Sequence, residues 1–122
     1  MEFLKCSPKW TREPQKYVIQ DGRVVITTEK GTDLWARTYY GFQNDNAPVL
    51  QIRTEEQYFS FIVKTEFDRD KRFDQCGVAM YLDSDNWFKA SIEYEDEKIQ
   101  RLGSVVTNHG YLLMCDKEVI EV

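Results

Sequence analysis

The chain has 122 residues, one domain's worth, with 42% hydrophobic and 30% charged residues. That composition excludes intrinsic disorder, and a chain of this length buries enough surface to build a core without staples. Sixteen Lys and Arg against 21 Asp and Glu leave a formal charge of -5, which argues against nucleic acid and anionic membrane as partners, because both need a basic footprint.

The first ten residues, with Glu2 among them, carry no apolar run long enough for a signal peptide, and no stretch of about 18 apolar residues follows anywhere. Cys6, Cys76 and Cys115 show no CxxC spacing, and the single His109 supplies no zinc-ligand set. Unpaired thiols in a reducing compartment, hence a soluble cytoplasmic protein, are the expectation. Residues 17–20 and 23–26 are apolar runs that flank Asp21-Gly22, a hairpin signal because Asp-Gly readily adopts the positive-φ turn. Residues 29–33 read as a loop, and 34–42 as an aromatic-rich strand. Residues 43–48 are turn chemistry without regular structure.

Residues 58–67 alternate Phe59, Phe61, Val63 and Phe67 against Ser60, Lys64 and Glu66, the pattern of a half-buried strand. The mixed-charge run 68–72 reads as a solvated connection. Residues 77–82, 87–94 and 101–107 are further strands, the first two joined through residues 83–86. No capped segment carries helical periodicity. About five to seven short strands with turn residues between them predict an all-β antiparallel sandwich in a single domain.

The register of the hairpin around residues 83–86 follows from burial. If Leu82 opposes Trp87, apolar and charged residues mix on both faces. If Tyr81 opposes Trp87 and Ala79 opposes Lys89, then Val78, Met80 and Leu82 share a side with Phe88, Ala90 and Ile92. A one-residue slip moves a whole strand to the other face, so the second register is predicted. It leaves Ala79, Tyr81, Trp87, Lys89, Ser91 and Glu93 on an amphipathic face expected to lie away from the core.

Trp10-Thr11-Arg12-Glu13-Pro14, residues 32–42, Phe73-Asp74-Gln75-Cys76-Gly77, residues 86–94 and Ser104-Val105-Val106-Thr107 occur in that order. Together they resemble the uncharacterised family of concanavalin A-like lectin/glucanase fold of the regulation-of-enolase type, over about residues 10 to 111. The resemblance implies a jelly-roll sandwich and leaves biochemical function unassigned. Many members carry His where Tyr39 stands here. Relatives continue after the Thr107 block with further strands, so the resemblance implies a domain incomplete at its C-terminus.

Three groups carry candidate chemistry. The first is the face Trp87, Lys89, Ser91 and Glu93 with Tyr81, bordered by Gln75 and Asp74. A flat aromatic can lie on a sugar ring while charged and amide groups bond its hydroxyls, and period-2 spacing puts these side chains on one side of a sheet. The alternative is a solvated face whose Trp fills a gap. The second is Trp35, Arg37 and Tyr39, of which Arg37 and Tyr39 are placed at the groove, while Thr38, Tyr40 and Phe42 point to the other side. The third is Glu93, Glu95 and Glu97. Same-face positions lie about 6.5 Å apart, not far from the separation of about 5–5.5 Å between the carboxyls of a retaining glycosidase.

No GxSxG, phosphate-binding glycine loop or metal-ligand cluster is present, so no cofactor is expected. Cys76 lacks a neighbouring His, and His109 reads as a turn residue. The expected function is a noncatalytic domain binding a carbohydrate or sugar-like metabolite. The alternative is a protein-interaction module using the same face or an open sheet edge, and a glycoside-acting enzyme is third. Strand edges left unpaired are expected to favour a homodimer, or a swapped pair in which residues 112–122 add a strand elsewhere.

Overall fold

The computed structural model describes residues 2–37, 41–114 and 118–121, and the side chains only as far as Met114. Among the described residues, apart from one 3-10 turn, Phe3–Cys6, the regular elements are strands, and the six pairings between Lys9–Trp10 and Leu50–Gln51, within 16–27 and within 75–121 are antiparallel. The chain divides into two compact units, Met1–Trp35 with Gln43–Phe59, and Ala36–Phe42 with Ser60–Val122.

The first unit holds short ladders. Strand β1 (Lys9–Trp10) pairs with β6 (Leu50–Gln51), and β2 (Lys16–Gln20) with β3 (Arg23–Thr27). The β2–β3 hairpin turns at Asp21 and Gly22, with φ of 51° and 74°, so Gln20 opposes Arg23 as the Asp-Gly signal predicts. Trp10 meets the Tyr17 ring edge-on at 4.9 Å, and the Tyr17 hydroxyl donates to Glu13 Oε1 at 2.8 Å. Asn46 ties down the 31–33 loop, accepting from the Asp33 amide at 2.8 Å and donating to the Gly31 carbonyl at 3.0 Å.

Two expectations fail around this unit. The aromatic strand does not run to Phe42. Strand β4 covers Leu34–Ala36: Arg37 leaves it with a left-handed φ of 62°, its amide donates to the Phe42 carbonyl at 2.8 Å, and Thr38, Tyr39 and Tyr40 lie outside the described residues. Conversely, Gln43–Asp45, read as irregular, forms β5 against β4. Polar side chains do not prevent a strand where a neighbour supplies the ladder.

The second unit is built on one sheet in the order β10-β9-β8-β7, with β11 also on β9. Its long strands are β7 (Gln75–Asp83), β8 (Asn86–Tyr94) and β9 (Ile99–Asn108). Tyr81 opposes Trp87 and Ala79 opposes Lys89, the register chosen from burial, and a bulge at Leu82 lets Asp83 meet Asn86. His109 and Gly110, with φ of 51° and 76°, form the two-residue turn into β10 (Tyr111–Met114). Strand β11 (Glu118–Glu121) lies against Leu102 to Ile99. The C-terminal segment thus pairs with β9 of its own chain, in two pieces that the sequence reading had not resolved.

The 58–67 strand is absent. Residues 52–74 form no strand, and Tyr58, Phe59, Phe61, Ile62 and Val63 are exposed. Alternation encodes a strand only where a neighbour accepts its backbone groups.

Candidate functional site

Strand geometry places Trp87, Lys89, Ser91 and Glu93 on one side of β8, and the registers extend that side across the sheet. Tyr81, Trp87, Thr107 and Leu112 form one row, and Ala79, Lys89 and Val105 the next. Gly77, Ser91 and Gly103 make a third, and Gln75, Glu93 and Arg101 a fourth. Five of the seven candidate ligand residues, Trp87, Lys89, Glu93, Tyr81 and Gln75, therefore stand together. Arg37 lies in the same unit at the turn end of the sheet, where a Cβ on Gly110 would come within 4.0 Å of its Nη1. Tyr39 lies outside the described residues.

The side expected to face away from the core is the buried one. Trp87, Val105, Thr107 and Leu112 are buried, and so are Lys89 and Glu93, at 8% and 9% exposure. On the other side Met80, Leu82 and Leu102 are exposed, Leu82 at 80%, while Val78, Phe88, Ala90 and Ile92 are only half-buried. Polarity misassigned the face because two charged side chains are taken into the buried side, an arrangement that costs several kcal/mol unless they are compensated. Both have interaction partners.

Beside Trp87, Thr107 is 2% exposed, and its hydroxyl has no hydrogen-bond partner among the described residues. Sequence reasoning placed Thr107 in a strand but did not single it out. The two-residue turn at His109-Gly110 was the available signal, since it sets Thr107 opposite Leu112 and hence on this side.

The fourth row is the charged end. Ser91 Oγ donates to Gln75 Oε1 at 2.9 Å, drawing Gln75 onto the face. Beyond Glu93, Glu95 takes Arg101 Nε at 2.9 Å and Arg72 Nη2 at 2.6 Å. The Arg101 hydrogen bond first, then the charges of Arg72 and Arg101, hold its carboxyl below the usual range. That environment suits a permanent anion, whereas a general acid needs its pKa raised. Asp74 serves the backbone: its Oδ2 accepts the amides of Asp70 and Lys71 at 3.0 and 2.9 Å.

The opposite end is locked turn to turn. Asp83 Oδ1 accepts Asn86 Nδ2 and the Asp85 amide, both at 2.9 Å, and these bonds lower its pKa. Asn86 Oδ1 accepts the His109 amide at 3.1 Å, so His109 is a turn residue as read. Cys76 opposes Ile92 on the other side of the sheet, and burial pushes its thiol up, away from a reactive thiolate. Among the described residues, no group of three His, Cys, Asp or Glu gathers to hold a metal ion.

An antiparallel β-sheet with a polar, partly charged buried face defines a β-rich domain, and its sequence places it in a family. The model of the family described as "Protein of unknown function (DUF1349)" matches residues 10–112, and the chain belongs to that family. It is similar to Regulation of enolase protein 1 of Saccharomyces cerevisiae, with 32% identity over 99 residues, covering 81% of this chain and 49% of that protein. The chain thus spans about half the length of this curated relative. No solved structure matches it.

Proposed function

We propose that the second unit is the binding part of a noncatalytic concanavalin A-like jelly roll, and that its β7–β8–β9 face takes a carbohydrate or sugar-like metabolite. The observation that carries this reading is the buried Thr107 hydroxyl, without a hydrogen-bond partner among the described residues, on a face that also buries Lys89 and Glu93. Buried hydroxyls are normally hydrogen-bonded to protein or to an ordered water, so this one marks a polar interior in which a water or a ligand hydroxyl would complete the bonding. Sugar hydroxyls both donate and accept, so they complement the half-buried Tyr81, Ser91, Gln75 and Arg101, the polar groups of this face that an incoming molecule can reach. Trp87 is buried, so it shapes the site from within and is not an open stacking platform. The unpaired thiols Cys6 and Cys76 suit a reducing cytoplasm.

Amide NMR titration with a panel of mono- and oligosaccharides tests this. Saturable shifts centred on Tyr81, Ser91 and Thr107, weakened by Gln75→Ala and Tyr81→Phe, are expected. An unresponsive spectrum across the panel would sink the reading.

A second reading is a regulatory protein-interaction module. It is favoured by β7, whose pairing among the described residues is to β8 alone, and by the exposed Met80 and Leu82 beside that edge. The relative's regulatory name points the same way. Capture of a partner protein that is insensitive to sugar and abolished by Met80→Lys would favour it. A glycoside-acting enzyme ranks third: Glu95, held as an anion, does not suit the general-acid half of a glycosidase carboxylate pair.

A further inference from the structure

The large sheet has a second side, opposite the one that buries Trp87. Met80, Phe88, Val106 and Leu113 form one row across it, and Cys76, Ile92 and Leu102 another, with small Ala90 between the two. Short of the turn at Asp83, no position on this side from β7 to β10 carries a charge. Leu113 is 69% exposed, and Met80, Leu82 and Leu102 are open as well, so apolar side chains face outward on β7, β9 and β10 alike. A contiguous apolar patch of this kind marks an interaction surface.

Its shape and area select the occupant. Strands β7 and β8 are nine residues long. Four strands about 4.8 Å apart, at about 3.4 Å per residue, give a face of roughly 500 Å². A twisted apolar sheet packs well on another sheet of the same twist about 10 Å away. A second copy brings that sheet, and two such faces bury about 1,000 Å² in total, the lower bound of a specific interface. A docked helix, about 10 Å across, would cover two of the four strands and leave the others wet. Because the face is uncharged, closing two of them together strands no ion in the dry layer.

We propose that this side is a homodimer interface, with the outer faces of two copies packed against each other as the two layers of a β-sandwich. The interface is isologous: the same patch serves both chains, and every contact residue is used twice. The Trp87 side, on which the sugar reading rests, takes no part, so either can fail without the other.

Sedimentation velocity on the full chain, over a concentration series, reads this directly. Wild type is expected to form a dimer in reversible equilibrium with monomer. Leu102→Lys on β9 or Leu113→Lys on β10 puts two ammonium groups into the dry layer and is expected to raise the dimer dissociation constant at least about tenfold. Val25→Lys, at a 60% exposed apolar position on the β2–β3 hairpin, is expected to leave it unchanged. All three side chains are exposed, and an unchanged far-UV circular dichroism spectrum confirms that each variant stays folded. A mass of one chain at every concentration overturns the proposal, as does a dimer that Val25→Lys weakens equally. So does a dimer that Met80→Lys dissociates and Leu102→Lys does not, because that dimer would be joined along the edge of β7.

Discussion

Gly110 and Asp85 join the two hairpin turns at one end of the large sheet. The Gly110 amide donates to the Asp85 carbonyl at 2.9 Å, and a Cβ on Gly110 would come 3.1 Å from Asp85 Oδ1. Gly110 also holds φ at 76°, a region L side chains rarely adopt.

Gly110→Ala is therefore expected to cost about 1–2 kcal/mol of stability for its backbone, plus a further increment for displacing Asp85. Gly22→Ala makes the matched comparison. Its φ is 74° but nothing stands within 4 Å of the added methyl, so backbone strain acts alone. Urea denaturation of both variants should rank Gly110→Ala as the more damaging.

Gly77 is needed for a different reason. A Cβ there would fall 2.6 Å from Ser91 Cα and 2.8 Å from Ser91 Cβ, inside the β7–β8 ladder. Neither atom belongs to a flexible side-chain end, so the strands themselves must separate. Gly77→Ala is expected to cost about 3 kcal/mol, read by chemical denaturation. A loss below about 0.5 kcal/mol would mean that β7 moves aside more easily than this geometry allows.

Thr107→Val removes a buried hydroxyl that lacks a hydrogen-bond partner among the described residues and keeps the shape of the side chain. The unliganded protein is expected to gain about 1 kcal/mol, because an unsatisfied polar group no longer has to be buried. The same variant should lose part of any stabilisation conferred by a bound sugar. A thermal-shift comparison with and without ligand checks both halves.

Glu95 links stability to pH. Its folded-state pKa lies below the unfolded value of about 4.3, so its contribution is present above that value and is lost as pH falls through the depressed one. Glu95→Gln is expected to be less stable than wild type at neutral pH. The gap should close as the pH is lowered through the carboxylate range, and denaturation midpoints along a pH series would show it. A gap that stays constant would mean that Arg101 and Arg72 grip the side chain by shape and not by charge.

Much of the fold is legible from local chemistry. Asp21-Gly22 specifies its turn because the pair tolerates two successive positive φ angles, and the Tyr81–Trp87 register follows from keeping each face of the hairpin consistent. The membership of the candidate site is legible for the same reason: period-2 geometry groups Trp87, Lys89 and Glu93 before any partner is known.

Three features were out of reach of that reasoning. The face that is buried is the one carrying Lys89 and Glu93, against the polarity rule, because burial depends on what covers a sheet and not on the strand alone. Thr107 joined the site only once β9 and β10 were in register across the His109-Gly110 turn. Residues 58–67 alternate as well as β8 does, yet have no ladder within the chain.

Turn position, strand period and hairpin register depend on dihedral preferences and near neighbours, so the 122-letter string was sufficient for them. Which side of the sheet is covered, and which strand finds a partner, are set by contacts between residues far apart in the chain. Those contacts gather Thr107, Trp87, Lys89 and Glu93 on one buried face, a grouping that depends on the cover over the sheet and not on any one strand.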